Sequence, residues 1–148
     1  MHKLFGPFPT GRVAAGLLVA RLIFGLGIAL HGYQKYTAGV FSWFGPGGIP
    51  APLQGLATCT EFFGGVGIML GLLTPLSALA VLGTMTVAML KVHLPAGSPY
   101  VSLTNGPSYE LAGHYLAYVV ALLLTGPGAW SLDYLAFGRL LRRNAYAP

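Results

Sequence analysis

Residues 53–90 read LQGLATCTEFFGGVGIMLGLLTPLSALAVLGTMTVAML, apolar almost throughout, with one acid, Glu61, set inside. As a helix, residues 53–73 would span roughly 30 Å, about the thickness of a bilayer's hydrocarbon core. Thr74-Pro75 punctuates the run, because proline disrupts a helix interior but suits a helix's first turn. A second apolar run, 75–92, follows at once. The stretch therefore reads as a transmembrane hairpin with a tight turn. A lone charge in hydrocarbon is costly, so Glu61 calls for a partner.

The remainder of the chain agrees with that reading. Hydrophobic residues make up 55% of the 148 positions and charged residues 7%, well outside soluble composition. This length accommodates about four crossings and no separate soluble domain. Residues 13–33 and 110–125 supply the other two crossings, the last one short enough to thin the bilayer locally. Gly126-Pro127-Gly128 then breaks the helix. Ser131 or Asp133 can cap a final amphipathic helix over 131–143, in which Leu132, Leu135, Leu140 and Leu141 oppose Arg139, Arg142 and Arg143. The expected fold is an all-α integral membrane protein. It is a single domain over 1–148, a four-transmembrane-helix bundle with a C-terminal amphipathic interfacial helix.

Charge sets the topology. The net charge of +5 is uneven: Lys3 and Arg12 precede the first crossing and three arginines follow the last, whereas the loops 37–52 and 95–108 carry little beyond Lys35. The positive-inside rule then puts both termini in the cytoplasm and both long loops outside, in a cytoplasmic (inner) membrane. The same pattern gives no support to a nucleic-acid partner. A single cysteine, Cys59, excludes an intramolecular disulfide and a cysteine metal cluster, and no metal site is assigned to the four histidines and three acids. A cleavable leader is disfavoured because Arg21 interrupts its apolar core at 13–20. Gly45-Pro46-Gly47-Gly48 lacks the lysine and the strand-to-helix setting of a phosphate loop. In loop 37–52, Phe41, Trp43 and Phe44 suit the headgroup level.

Two sets of polar residues stand out. Arg21 and Glu61 each lie about 12 Å inside a presumed helix start, from opposite sides, which leaves a height difference of about 6 Å and makes a structural ion pair reachable. The four helices deliver His31, Lys35, Glu61, Lys91, His93, Glu110 and His114 toward one outer vestibule, His31 with Lys35 and Glu110 with His114 four residues apart on one face and Lys91 with His93 closing the third helix. Of these, His31, His93, Glu110 and His114 are the candidate catalytic groups, and Lys35 and Lys91 the candidate cofactor-binding ones. Gly64, Gly65, Gly67 and Gly71, with a G-x-x-x-G at 67–71, read as close helix packing. Cys59 reads as a small packing residue.

The segments RLIFGLGIALHGYQKY (21–36), EFFGGVGIMLGLLTPLSAL (61–79), MLKVHLPAG (89–97) and YELAGHYLAYVVALLLTGPGAWSLD (109–133) together resemble the DoxX family. The likeness runs from Arg21 to Asp133, and the motifs keep the family's order. Its motif falls here on Arg21, His31, Gly32, Lys35, Glu61, His93, Glu110, Gly126, Gly128 and Asp133. The resemblance implies a four-helix protein of a bacterial or archaeal cytoplasmic membrane. Relatives implied by it include subunits of a thiosulfate:quinone oxidoreductase and proteins of oxidative-stress and thiol redox systems.

The leading functional expectation is a membrane subunit of a redox system, in contact with the quinone pool or a protein partner. The chain has no cysteine pair, haem motif or nucleotide loop, so its redox chemistry would rely on a borrowed quinone, with no covalently bound cofactor. Histidine suits the proton handling because its unperturbed pKa, about 6.5, lies near neutrality. A non-catalytic scaffold or assembly factor is the alternative. A small-solute transporter is less favoured, since no inverted repeat or pair of broken helices is evident. Besides the bilayer, the expected partners are a protein of a redox complex or further copies of the chain.

Overall fold

The computed structural model describes residues 8–45 and 48–138. Four helices run up and down: α1, Gly11–Gly39; α2, Ala51–Leu70; α3, Thr74–Ala88; and α4, Glu110–Thr125. A π-helical turn, Met89–His93, continues α3, and a second one, Tyr134–Gly138, follows α4. Three of these spans, Gly11–Gly39, Ala51–Leu70 and Thr74–His93, are long and apolar enough to cross a membrane, and α4 is a shorter apolar helix. The protein is a helical membrane bundle. The start of α1, the end of α4 and the α2–α3 turn lie at one end, the terminal end, and the two long connections lie at the other, the loop end.

Helix limits differ from the sequence expectation where local chemistry intervenes. Nothing after Tyr33 stops α1, which continues to Gly39, a residue with φ +111°. α2 stops three residues short of Leu73, because Gly71 takes φ +63° and closes the helix: Leu72 N donates to Gly67 O at 2.8 Å and Gly71 N to Ile68 O at 3.1 Å. That pair of bonds is the Schellman arrangement, for which glycine is the preferred residue. The G-x-x-x-G at 67–71 is thus mainly a helix stop. Leu94 N donates to Met89 O at 2.9 Å, a π-type bond that widens the end of α3 and carries Lys91 and His93 with it.

Helix spacing follows side-chain size. α1 and α2 meet along Gly25, Ala29, Gly32 and Gly65: a Cβ on Gly25 would lie 2.7 Å from Met69 N and 2.8 Å from Gly65 O. Side chains this small let the two backbones touch, which is how helices associate in lipid without a hydrophobic driving force. α1 and α4 are held apart by rings instead, Phe24 stacking on Tyr118 at 4.3 Å and meeting Tyr115 edge-on at 6.0 Å. Ile28, Ile68, Ala78, Val81, Met85, Tyr115, Val119 and Leu122 fill the centre.

The α1–α2 seam also decides the fate of Arg21. Gly25 faces Met69, and Gly32 faces Phe62, so facing residue numbers sum to about 94. Arg21 therefore lies level with the turn at 71–73, about 12 residues or roughly 18 Å from Glu61 along the axis. The expected Arg21–Glu61 pair does not form. The depth estimate failed because it hung both helices from assumed membrane boundaries, while α1 is longer than that and extends well past His31.

Arg21 is instead part of a buried knot at the terminal end. Its Nη2 donates to Trp130 O at 2.5 Å and its Nη1 to Met69 O at 3.4 Å. Asp133 Oδ1 accepts from Leu73 N at 2.7 Å and Oδ2 from Thr74 N at 2.8 Å, while Asp133 N donates to Gly71 O at 2.8 Å. Arg21 and Asp133 are both fully buried. Asp133 thus caps α3, a helix 59 residues earlier in the chain, and its negative charge faces that helix's positive end. The cap also holds Leu73 at φ +45°, a strained value for a residue with a side chain. Of the two candidate caps, Ser131 serves its own segment, with Oγ accepting from Tyr134 N at 3.1 Å. The expected interfacial helix begins in this segment, but its three arginines lie outside the described residues.

Candidate functional site

A cavity of about 470 Å³ opens at the loop end between α2, α3, the end of α1 and the loop after it. Its walls are apolar, from Leu53, Leu56 and Ala57 on one side to Leu79, Val87 and Ala88 on the other. Its polar groups are few. Lys35, four residues before the end of α1, pairs with Glu61 in α2, and the two side chains are 22% and 3% exposed. In lipid this is the partner that Glu61 calls for, and it arises because α1 runs on past His31. His93 reaches the cavity from the π-helical turn. Thr60 and Thr84 bridge α2 and α3 through their hydroxyls at 2.6 Å.

The roof comes from the 40–50 loop, which is folded down by Gln54. That side chain is 3% exposed, and its Nε2 donates to Ile49 O at 2.7 Å while its Oε1 accepts from Phe44 N at 3.0 Å. The backbone carbonyl of Gln54 accepts from Trp43 Nε1 at 3.1 Å. Trp43 is thereby fixed with its ring centroid 4.4 Å from Lys35 Nζ, a cation–π contact. The lysine is held between a ring and a carboxylate, so its charge is accounted for twice.

Two buried polar atoms of cavity-lining residues, Glu61 Oε2 and His93 Nδ1, have no hydrogen-bond partner among the described residues. Buried polar groups in proteins are almost always satisfied, and exceptions tend to mark a ligand, a water or a catalytic role. The site combines a carboxylate, an imidazole and a neutralised ammonium at the polar end of a hydrocarbon-lined pocket. It can hold a neutral head that both donates and accepts hydrogen bonds.

The outer vestibule expected from the sequence is divided. Lys35 and His93 line the cavity, together with Glu61, which had been assigned a bracing role. His31, Glu110 and His114 do not line it. His31 is half-buried against the edge of Tyr115, with centroids 6.0 Å apart. His114 is exposed on α4 and meets Tyr100 edge-on at 6.3 Å, and Glu110 sits half-buried in the first turn of α4. Lys91 is exposed on the π-helical turn. Residues whose part sequence reasoning missed are Trp43, Gln54, Thr60, Thr84 and Gly83. A polar glutamine two residues after Pro52 was the signal available for the roof. Cys59 is exposed on the outside of α2, two residues from Glu61 and on another face.

Comparison with known proteins adds the following. The DoxX family model matches residues 16–94. Over 122 residues the chain is 31% identical to the inner membrane protein YqjF of Escherichia coli (strain K12), an alignment covering 81% of this chain and 91% of that relative. No solved structure matches the chain. All residues that line the cavity, from Lys35 to His93, lie within the matched segment, whereas Asp133 lies beyond it.

Proposed function

The chain belongs to the DoxX family, and on that premise we propose that it is a membrane subunit of a redox system whose loop-end cavity receives the head of a quinone. The observation that carries this reading is a hydrocarbon-walled cavity whose few polar lining residues include Lys35, Glu61 and His93, the last two each with a buried side-chain atom that has no hydrogen-bond partner among the described residues. A quinone alternates between a form that accepts hydrogen bonds and one that donates them. The donor set fits both: Lys35 Nζ and a protonated His93 can donate, while Glu61 Oε2 and a neutral His93 can accept. When bound, the quinone supplies the electron-accepting chemistry that no side chain here provides. The protein's part is to orient the head, to exclude water with the Trp43 roof, and to hold or release a proton at His93. Lys35 stays fixed by Glu61 and Trp43 and places one positive charge beside the head.

We place the protein in the inner membrane with both termini cytoplasmic. Five of its eight Lys and Arg residues, Lys3, Arg12, Arg139, Arg142 and Arg143, lie in the terminal segments, and Lys35 and Lys91 alone lie toward the loop end. The cavity then opens in the outer half of the membrane. A reporter active only outside the cytoplasm should stay silent when fused at Pro148 and respond when inserted in the 95–108 loop. Activity at Pro148 would invert this orientation.

Substitution separates the cavity from the other histidines. His93→Ala should weaken binding of a short-chain quinone by about tenfold, the worth of one good buried hydrogen bond. His114→Ala should leave it unchanged, because His114 is exposed on a different helix face. Titration of purified protein in nanodiscs, with quinone reduction measured in membranes containing native partners, checks both. Wild-type binding and turnover after His93→Ala would favour a non-catalytic scaffold instead.

A further inference from the structure

Gly83 occupies an odd position. Along the outer ridge of α3, Leu79 and Val87 stand exposed one turn to either side of it, and all three residues line the cavity. A Cβ built on Gly83 would meet no atom within 4 Å. Gly64, on the facing helix, differs: there a Cβ would press against Val81 Cγ2 at 3.0 Å, so packing explains the glycine. Neither packing nor backbone geometry explains Gly83, which has no positive φ and sits in a helix interior where glycine is disfavoured relative to alanine. Its effect is a notch in a row of bulky side chains, at the level where Thr60 and Thr84 join the two helices.

We infer that Gly83 is the specificity gate of the cavity: the notch it leaves between Leu79 and Val87 lets a neutral, hydrogen-bonding head on a hydrocarbon tail enter sideways from the bilayer between α2 and α3. This rests on the cavity being a quinone site, as proposed above, and adds the route of entry and the residue that controls it. The walls beside the notch are hydrocarbon (Leu56, Leu79, Ala80, Val87), matching a tail that remains in lipid while the head moves in. Charge complementarity argues for a neutral head. The Lys35–Glu61 pair cancels, so an anionic headgroup would find no unpaired lysine or arginine among the described residues that line the cavity. A quinol hydroxyl, by contrast, carries no charge that needs one. Phospholipid acyl chains share the tail chemistry and lack such a head.

Trp43 is a built-in reporter, since it lines the cavity and the chain's one other tryptophan, Trp130, can be replaced. Trp130→Phe keeps the backbone carbonyl that Arg21 uses. In nanodiscs of that protein, decylubiquinone should quench Trp43 saturably, and brominated phosphatidylcholine should quench it without saturation. Gly83→Leu fills the notch and should slow the onset of decylubiquinone quenching by about tenfold or more. Its melting temperature should be unchanged or raised, because the added Cβ meets no atom within 4 Å and leucine favours the helix over glycine. Gly83→Ala should fall between the two. Equally fast, saturable quenching in wild type and Gly83→Leu overturns the gate and leaves the cavity's function standing. Saturable, Gly83-dependent quenching by the brominated lipid overturns the ligand class. No saturable quenching by decylubiquinone in either protein removes the quinone reading itself, and the gate with it.

Discussion

Asp133→Ala should destabilise the bundle by about 3–5 kcal/mol, the range for removing one member of a buried charged network. Three consequences converge on that one carboxylate. The amides of Leu73 and Thr74 lose their acceptors at the buried start of α3. The helix loses the negative charge at its N-terminus. The turn that keeps Leu73 at a strained φ of +45° loses the group that holds it there. Arg21 shares the loss, because its bond to Trp130 O depends on the same segment lying across the α2–α3 turn. Asp133→Asn retains one acceptor oxygen and should cost about half as much. Unfolding in mild detergent, followed by circular dichroism, reads both values. A loss below about 1 kcal/mol for Asp133→Ala would mean that the terminal segment is not fastened to the bundle in this way.

The second large effect concerns Lys35 and Glu61. Lys35→Met should cost about 3 kcal/mol, toward the lower end for breaking a buried pair, since the lysine side chain is 22% exposed. Glu61→Gln leaves the lysine with the Trp43 ring and partial access to water, so it should cost less. The double substitution should be milder than the sum of the singles, because neither residue then leaves a charge uncompensated. Quinone binding should fall in all three proteins, including the double variant where stability recovers. Arg21→Leu combined with Glu61→Gln should be additive, as expected for groups at opposite ends of the bundle. Coupling between Arg21 and Glu61, with none between Lys35 and Glu61, would reverse the assignment of partners.

The membrane bundle was legible because its signals are local. Apolar runs of bilayer length, the Thr74-Pro75 break and Gly126-Pro127-Gly128 each act within a few residues. The demand that Glu61 be paired was legible too, since it follows from the cost of a charge in lipid. The partner was not. Choosing between Arg21 and Lys35 required the axial register of α1 on α2, and that register is set by Gly25, Ala29, Gly32 and Gly65, whose small size says that helices approach but not at what offset. Asp133 was read as a cap for the residues that follow it, the usual local arrangement, and it caps a helix brought to it by tertiary folding instead. His114 and Glu110 share a helix end with other polar groups in sequence terms, yet α4 turns His114 toward Tyr100 and away from the cavity. Gly83 could not be distinguished from the packing glycines until the space around each was known.

The central claim is that the loop-end cavity binds a neutral, tailed redox molecule through Glu61 and His93. The most direct measurement is to purify the protein from native membranes in mild detergent and identify retained small molecules by mass spectrometry, comparing wild type with the Lys35→Met and Glu61→Gln double variant. The account predicts a quinone in near-stoichiometric amount on the wild type and its loss from the double variant, with the bundle still folded by size exclusion. A wild type that retains no quinone, or a double variant that retains as much, would contradict it.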